Sequence, residues 1–438
     1  MNKNLSELAA FQIARIPTTY AGGRVIEVSG AIARIDMKNA VIKRGDRVDI
    51  FPESGRVEGT VVMLSGAYVD ALVDGGVDGI AIGDRAVAKA PAHLAPHESW
   101  MGRVIDPDGI PLDGKPMLAG VDKVTVDATP PAAHARRKLG ARIETGHAVF
   151  NTLLPIVRGQ RLGLFAGSGV GKSTLIGDLA RKLDADVVVV ALVGERGREL
   201  GHFVDEILGP EGLKRSVVVA ATSDRSPYIR RRCAPAAMAV AEHFRDQGCH
   251  VLLLVDSVTR FCEAHRELAV AGREPANLRG FPASTSPAIA RLCERAGPGS
   301  HGQGDITAIF SVLVAGSDME EPVADMLRGV LDGHIVLERE IAERGRFPAV
   351  DILKSVSRSL PDAASAIEND LIADARQTLG KYEQSALMIQ SGLYIKGSDS
   401  NVDRAVACEP KLDKFIALKD DGNAISHFAK LRQALSVT

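Results

Sequence analysis

Hydrophobic and polar positions follow three different patterns along the chain, and the first predicts a β-rich N-terminal region. From residue 22 to about residue 90, short β-type segments such as GRVIEV and TVVML are separated by Gly, Asp and Ser. Strands at such short spacing predict a small β-barrel or sandwich. The segment APAHLAP, residues 90–96, is rich in Pro and Ala and is predicted to be a linker.

The second pattern, from about residue 158 to residue 315, consists of apolar runs that alternate with helical periodicity. The runs include RLGLFAG, ADVVVVALVG, SVVVAATS, HVLLLVDS and ITAIFSVLVAG. Continuous apolar runs indicate strands buried on both faces, so an α/β fold with a parallel sheet and flanking helices is predicted. One predicted helix lies around residues 236–244. Another carries Leu175, Ile176, Leu179 and Leu183 on one face.

A turn and a helical region flank this sheet. In GRVIDPDGIPLDGKP, residues 102–116, the sequence DPDG predicts a tight turn and a hairpin, because Pro presets φ and Gly accepts positive φ. After residue 361 apolar residues recur at helical spacing, which predicts a helical C-terminal domain. We therefore predict three domains, 1–95, 96–360 and 361–438. The apolar helix positions are Ile367, Leu371, Ile372, Ala375, Leu379, Tyr382, Ile425, Phe428, Leu431 and Leu435.

Composition limits the class of protein. The chain has 438 residues, 45% hydrophobic and 25% charged, with a net charge of −2, so it offers no bulk positive field for nucleic acid or an anionic membrane. Apolar runs such as 187–193 and 251–255 are far shorter than the roughly 20 residues of a membrane-spanning helix. The N-terminus, MNKNLSELAAFQIARIP, does not resemble a signal peptide, which predicts a cytoplasmic protein. Five scattered cysteines, none in a CxxC pair, predict buried reduced thiols.

A glycine-rich segment joins a predicted strand to a predicted helix. Residues 166–174 read AGSGVGKST and match the P-loop pattern, except that Ala166 replaces its first glycine. Glycines let backbone N–H groups surround phosphate oxygens, and the helix N-terminus favours anions. Lys172 is predicted to contact the β- and γ-phosphates, and the Ser173 hydroxyl to bind Mg²⁺. The predicted phosphate-binding residues are Gly167, Ser168, Gly169, Val170, Gly171, Lys172, Ser173 and Thr174.

Two other predicted strands end in carboxylates. The run HVLLLVD ends at Asp256, a Walker B pattern in which the aspartate binds Mg²⁺ directly or through water. The run 187–193 is followed by GERGRE, residues 194–199. A carboxylate there could polarise the attacking water, but the segment could equally be a solvated charged turn, and spacing alone leaves both interpretations open.

With these segments in place, the chain resembles the hexameric F/V-type ATPase superfamily, and most closely its type III secretion ATPases of the flagellar export kind. The similarity covers nearly the whole chain, including GLFAGSGVGKSTL, LVGERGREL, DSVTRF, GREPANLRGFPASTSPAIARLCERAG and LYIKGSDSNVDRA. Residues 146–151, GHAVFN, replace a more usual VRAID-like segment, and the N-terminus diverges most. The resemblance implies a RecA-like P-loop ATPase core between a small N-terminal β-barrel and a C-terminal helical domain.

The resemblance also implies roles for residues that spacing alone does not assign. Glu195 would be the catalytic glutamate, and Arg196 would contact the γ-phosphate region. Glu199 would help to order Mg²⁺-bound water. Arg260 in DSVTRF would lie near the phosphates, although it could instead be a structural arginine.

Two further roles come from the same resemblance. Phe347 in RFPAVD matches the position where the superfamily stacks an aromatic ring on adenine, whereas the apolar pattern alone would make it a core residue. Arg358 in SVSR matches the arginine finger that each subunit donates to its neighbour's nucleotide site, where it stabilises transition-state charge.

The function implied by the resemblance is an ATPase coupled to protein export, using ATP and Mg²⁺ as a homo-hexamer. Implied partners are a stator-like regulator, central-stalk-like export proteins, the export gate and chaperone–substrate complexes, with peripheral association at the inner-membrane export apparatus and no nucleic acid. The alternatives are the ATPase of a virulence-type injectisome, a Rho-like RNA translocase and a non-catalytic subunit of a rotary ATPase. The triplet Arg230–Arg231–Arg232 could be taken for an RNA contact, but we favour a solvated or interface-facing helix start.

Overall fold

The structure, a computed structural model, describes residues 21–38, 40–89, 92–314 and 319–436, without the side chains of residues 277 and 278. The N-terminal segment used above to exclude a signal peptide lies outside these residues. So do residues 90–91 of the predicted linker and residues 315–316 of a predicted strand. Two compact units are present: the chain up to Ala92 with Ser226–Tyr228 and Glu267–Pro275, and the remainder. The domain boundaries at 95/96 and 360/361 stay predictions.

The first unit contains a closed barrel of six strands in the order β1-β2-β5-β4-β3-β6. Inward-facing apolar residues such as Ile35, Val48 and Ala71 are fully buried, so the alternating pattern closes round one core. This confirms the predicted barrel. The strands are β1 Ala21–Ser29, β2 Ile32–Asp36, β3 Arg47–Phe51, β4 Val57–Ser65, β5 Tyr68–Val73 and β6 Arg85–Lys89.

The second unit is built on a nine-stranded sheet. Its strand order is β17-β16-β8-β15-β11-β9-β10-β7, with β14 paired to β15. The predicted parallel pairing holds from β16 to β7, whereas β17 and β14 are antiparallel. The strands are β7 Arg103–Ile105, β8 Arg161–Ala166, β9 Val187–Glu195, β10 Ser216–Thr222, β11 His250–Asp256, β14 Gly297–Pro298, β15 Asp305–Leu313, β16 Gly333–Leu337 and β17 Val350–Ser357; β12 Ala276–Leu278 and β13 Phe281–Pro282 pair separately.

Helices connect these strands. Leu175, Ile176 and Leu179 are buried on one face of α2 (Lys172–Lys182), as predicted; Leu183 is buried too, but it follows the end of the helix. Helix α5 (Pro227–Asp246) begins well before the predicted residue 236. Its early part was not recognised, because Cys233 and neighbouring small residues are buried and do not alternate with exposed polar residues at helical spacing. The helices are α1 Ala148–Asn151, α2 Lys172–Lys182, α3 Gly197–His202, α4 Gly209–Lys214, α5 Pro227–Asp246, α6 Val258–Ala271, α7 Thr285–Arg295, α8 Pro322–Val330 and α9 Arg339–Glu343.

The predicted turn is present, but the predicted hairpin is reduced. The Asp106 carboxylate accepts hydrogen bonds from the backbone N–H groups of Asp108 (2.9 Å) and Ile110 (2.8 Å), which closes the turn. Strand β7 pairs with β10 of the sheet, and the returning chain forms a single bridge from Ile105 to Pro111. Within the predicted linker, Leu94 is buried and bridges to Val124, so this part is packed and does not run free.

The C-terminal region is helical, as predicted, with α10 Ala366–Gln390, α11 Ser400–Ile416 and α12 Ala424–Leu435. Ile372, Phe428 and Leu431 are buried in the same core as the sheet. Ile367 and Ile425 also lie in helices, but they are exposed because each lies in the first turn of its helix, beyond the packed face.

The cysteines are free, and four of the five are buried, with Cys249 partly exposed. This agrees with the predicted reduced thiols.

Among the described residues, we find no helix that combines the length and the apolar character needed to cross a membrane.

Candidate active site

The predicted site residues meet at the carboxyl ends of three strands. β8 leads into the P-loop, β11 ends at Asp256 and β9 ends at Glu195, and only β15 separates β8 from β11. Because parallel strands end at the same edge of a sheet, these groups share one crevice. A sheet edge of this kind is where α/β proteins bind ligands.

The P-loop places the N-terminus of α2 in this crevice. Gly171 precedes the helix with φ +84°, a left-handed conformation that favours glycine. Val170 is buried and anchors the loop, whereas Ser168 and Gly169 are exposed. The loop thus has a fixed base and an open rim, and the positive end of the helix dipole suits phosphate.

A buried carboxylate faces the P-loop lysine. Asp256 is 3% exposed, and its Oδ1 forms an ion pair with Lys172 Nζ. The same oxygen accepts a hydrogen bond of 2.7 Å from the hydroxyl of Ser311, on the intervening strand β15. Two donors therefore hold one carboxylate oxygen.

Sequence reasoning missed Ser311. It is fully buried within the apolar run of β15, where a single hydroxyl is normally unremarkable. Its position is explained by strand pairing, because Phe310, the residue before Ser311, pairs with Val255, the residue before Asp256. The sequence of a single strand does not reveal which strand lies beside it or in which register.

Glu195 occupies the end of β9 in a half-buried position. Burial, followed by the neighbouring Glu199 carboxyl and the charge of Asp256, raises the pKa of Glu195 to about 7. The hydrogen bond with Glu195 and the nearby Arg196 lower the pKa of Glu199. The two carboxyls therefore differ in role: Glu195 holds a proton readily near neutral pH, and Glu199 stays ionised.

Two arginines border this carboxyl pair. Arg196 is largely exposed, with Nη1 3.5 Å from Glu199 Oε1. Arg260 packs over Gly194, where an added Cβ would lie 3.3 Å from the Cβ of Arg260, and its Nη1 lies 2.9 Å from Glu263 Oε2. The hydrogen bond with Glu263 raises the pKa of Arg260, and the charges of Glu195 and Glu199 add to that effect.

Phe347 reaches the same loop from the segment between α9 and β17. Its ring is 45% exposed, and a Cβ added to Gly171 would lie 3.1 Å from ring atom Cδ1. The side chain is therefore beside the phosphate loop and half open to solvent, as a base-stacking ring requires.

Arg358 does not join the other predicted residues. It follows β17, and its backbone N–H donates to the backbone carbonyl oxygen of Asp332. The N–H of Asp332 in turn donates to the carbonyl oxygen of Arg161, the first residue of β8. The P-loop begins only after Ala166, five residues or roughly 17 Å along that strand. Arg358 thus lies at the opposite end of the sheet, where its guanidinium donates to the carbonyl oxygens of Leu331 (3.0 Å) and Arg328 (3.3 Å).

The arginine triplet lies at the start of α5, as the favoured interpretation of a solvated or interface-facing helix start expects, but Arg232 is not solvated. Arg232 is 8% exposed and lies 2.8 Å from the Asp108 carboxylate, because the start of α5 is packed against the turn at residues 106–109. Arg231 Nε donates to His265 at 3.1 Å. The three guanidinium groups do not form one basic surface.

The geometry can be compared with known proteins. Residues 146–357 match the nucleotide-binding domain of the ATP synthase alpha/beta family, and residues 365–436 match the C-terminal domain of the type III secretion ATPase EscN. The flagellum-specific ATP synthase of Caulobacter vibrioides is 41% identical over 92% of this chain and 93% of its own length. That of Pseudomonas aeruginosa is 42% identical over 90% and 88%. The chain therefore belongs to the ATP synthase alpha/beta family, together with these flagellum-specific ATP synthases.

Solved structures agree with the family assignment. The assembled ATPase EscN from the type III secretion system of enteropathogenic E. coli has a TM-score of 0.86 and 33% identity, covering 94% of this chain and all of that one. EscN in complex with its central stalk EscO gives a TM-score of 0.84. These findings confirm the predicted fold class, the prediction of an ATP-hydrolysing enzyme and, at the level of the family, that of a flagellar export ATPase. The individual site residues stay predictions.

Proposed function

We propose that this chain is the ATP-hydrolysing motor subunit of a flagellar type III protein export apparatus, which energises delivery and unfolding of export substrates. The observation that carries the proposal is the buried carboxylate of Asp256, held between the P-loop Lys172 and Ser311 and adjacent to Glu195. A P-loop, a metal-binding carboxylate and a water-polarising carboxylate are what ATP hydrolysis requires.

The oxygen donors in the crevice fit Mg²⁺. Asp256 supplies a carboxylate and Ser173 a hydroxyl at the start of α2, and Mg²⁺ prefers oxygen ligands of this kind. When bound, the ion would neutralise charge on the β- and γ-phosphates. Backbone N–H groups of residues 167–174 and the ammonium group of Lys172 would bind and orient those phosphates.

Glu195 is proposed to take the proton of the attacking water. Its raised pKa, about 7, matches a base that operates near neutral pH. Glu199 stays ionised beside it and is proposed to help order water at the metal. Arg196 and Arg260 provide positive charge close to the carboxyl pair, while the Phe347 ring is proposed to stack on adenine.

Arg358 is proposed to act on the nucleotide of a neighbouring copy. The separation of roughly 17 Å along β8 supports this arrangement, because the arginine cannot serve its own P-loop without a large rearrangement. A ring of identical subunits places one copy's arginine at the next copy's site, so a homo-hexamer is proposed. The assembled form of EscN supports it.

The partners and location follow the same family. EscN binds a central stalk, EscO, which supports a central-stalk-like export protein as a partner here. A stator-like regulator, the export gate and chaperone–substrate complexes complete the proposed set. The proposed location is the cytoplasmic face of the inner-membrane export apparatus, by peripheral association.

An injectisome ATPase is the second candidate, favoured by the match of residues 365–436 to the EscN C-terminal domain. Identity to EscN is 33%, however, below the 41% and 42% shared with the two flagellar relatives. An RNA translocase has less support, because Arg232 pairs with Asp108 and Arg231 donates to His265, so the arginine triplet does not present one basic surface for RNA.

Affinity capture from the native cell, followed by mass spectrometry, tests the proposal. Flagellar basal-body and export proteins are expected to accompany the tagged chain. Recovery of needle-complex proteins in their place would contradict the flagellar assignment, and RNA-stimulated ATPase activity of the purified chain would contradict the export assignment.

A further inference from the structure

A buried arginine precedes the proposed base-binding ring. The Arg346 side chain is 9% exposed, and its Nε lies 2.9 Å from Oδ1 of Asp413. Its Nη2 donates a 3.0 Å hydrogen bond to the carbonyl oxygen of Val350. Neither Nε nor Nη1 has a hydrogen-bond partner among the described residues, so the contact with Asp413 is an ion pair without hydrogen-bond alignment. The cation therefore depends on Asp413 for charge compensation, since it is withdrawn from water.

Asp413 belongs to the C-terminal domain. It lies in the last turn of α11, between Leu412 and Phe415, which are buried in the core. Other charged groups facing Arg346 are Arg344, Asp351 and Glu409. Burial lowers the pKa of the Arg346 guanidinium, and Asp413 is the largest influence that opposes this shift. Loss of the Asp413 charge would leave a poorly compensated buried cation.

The position of Arg346 bears directly on Phe347. The two residues are adjacent in the chain, and the Phe347 ring leans on Gly171 of the P-loop. The ring is half exposed, so packing on one side does not hold it alone. The side chain of the residue immediately before the ring contacts Asp413 of α11 and the carbonyl oxygen of Val350.

The end of α11 is also attached to the P-loop helix. Just beyond α11, Lys419 Nζ lies 2.7 Å from Asp178 Oδ2 on α2, and Lys182 Nζ of α2 lies 3.1 Å from Asp421 Oδ1. The ring of Phe347 and the helix that carries Lys172 therefore share one support. Ligand positioning depends on such supporting contacts behind the residues that touch the ligand.

We propose that the Arg346–Asp413 ion pair is a positioning pair that sets the affinity of the site for the nucleotide base by holding Phe347 against the P-loop. The proposal rests on the proposed stacking of Phe347 on adenine. Neither residue of the pair is assigned contact with the phosphates, so the pair acts on base binding and leaves the chemical step unchanged.

Steady-state hydrolysis by the full-length chain tests this proposal, with inorganic tripolyphosphate as an inhibitor that lacks a base. Asp413→Asn is expected to raise KM for ATP by about three- to tenfold and to change kcat by less than about twofold. The inhibition constant of tripolyphosphate should not move. Asp413→Glu, which keeps the charge, should restore most of the affinity.

Phe347→Ala separates failure of this inference from failure of the proposed stacking. It should raise KM in the same way, and adding Asp413→Asn to it should raise KM no further. If Phe347→Ala raises KM while Asp413→Asn does not, the positioning role is wrong and the stacking role survives. If Phe347→Ala leaves KM unchanged, the stacking role fails and the inference fails with it.

A second ion pair of the C-terminal domain provides the matched control. Arg404 forms two 2.7 Å contacts with Asp374, joining α11 to α10. Asp374→Asn removes an equivalent charge without touching the Phe347 segment, and KM for ATP should stay at the wild-type value. An equal rise in KM for Asp374→Asn, or an equal loss of tripolyphosphate affinity in Asp413→Asn, would show general destabilisation and overturn the proposal.

Discussion

The two ends of the central sheet carry different sets of charged groups. At the carboxyl end, Lys172, Asp256 and Glu195 surround the P-loop and are buried or half-buried. At the other end, Arg358 is exposed and binds backbone carbonyl oxygens, with no carboxylate at ion-pair distance among the described residues. One end has the groups that are proposed to hold phosphate and activate water, and the other has an exposed cation with no acidic partner among the described residues.

In the proposed function, one chain contributes both parts of a catalytic site but cannot join them. The role proposed for Arg358 therefore requires a second copy that presents this arginine to the first copy's P-loop. A head-to-tail contact of this kind closes into a ring when the rotation between copies allows it. The predictions below test each end separately.

Replacement of the distant arginine should have the largest effect. Arg358→Ala is expected to lower kcat by about 10³-fold at a protein concentration that assembles the ring, because an arginine finger stabilises transition-state charge. ATP binding should remain nearly intact. Turnover and nucleotide affinity can be measured on the same preparation.

The control is Lys354→Ala, which removes another exposed cation, one that lies in β17 four residues before Arg358 and pairs with Glu338 at 2.7 Å. It should change kcat by less than about twofold. Normal turnover of Arg358→Ala at high protein concentration would contradict the role assigned to that end of the sheet.

Loss of the base should have the next largest effect. Glu195→Gln is expected to lower kcat by about 10²-fold or more, because the amide cannot accept the proton of the attacking water. Equilibrium binding of ATP should persist. A variant that hydrolyses ATP at the wild-type rate would remove Glu195 from the base role.

The pH dependence of hydrolysis tests the same carboxyl. Because burial and Glu199 raise the pKa of Glu195 to about 7, the base is protonated below that pH and free above it. kcat/KM should therefore rise as pH increases through 7, by up to about tenfold per unit below the midpoint.

Glu199→Gln removes a negative charge beside Glu195 and should move the midpoint to lower pH. A profile that is flat between about pH 6 and pH 8 would contradict the assignment of Glu195 as the titrating base.

The smallest effect concerns the serine that sequence reasoning missed. Ser311→Ala removes the 2.7 Å hydrogen bond to Asp256 and should lower kcat/KM by about three- to tenfold. Ser355→Ala is the control, because it removes another buried strand hydroxyl, one that accepts a 2.9 Å hydrogen bond from the backbone N–H of Val336 and does not contact Asp256; it should affect stability only. Equal losses of activity in the two variants would show that Ser311 has no special role.

Local patterns were sufficient for much of this molecule. The P-loop, Asp256 and the parallel strands each depend on a continuous stretch of residues, so their periodicity and glycine spacing could be recognised directly. The barrel and the C-terminal helices were predictable for the same reason. Arg358 and Phe347 were named only through family resemblance, because a single arginine or phenylalanine carries no local signal.

The features that were missed depend on pairing between distant segments. Ser311 gains its role from the strand next to it, and Arg232 is buried because α5 packs against a turn more than a hundred residues earlier. The chain reverses direction after β16, so that β17 pairs with it in the antiparallel direction at the edge of the sheet. Apolar runs do not reveal the direction of a strand. Ile367 satisfied the helical period but lies one turn outside the packed core.

The central claim is that the two ends of the sheet act together only between copies, and mixing two inactive variants tests it most directly. Glu195→Gln keeps Arg358, and Arg358→Ala keeps Glu195, so a mixed ring contains some sites with both groups intact. With equal amounts and independent sites, about one quarter of the sites should be competent, and ATP hydrolysis should rise far above the sum of the separate variants. A mixture no more active than that sum, although the variants assemble together, would contradict the account.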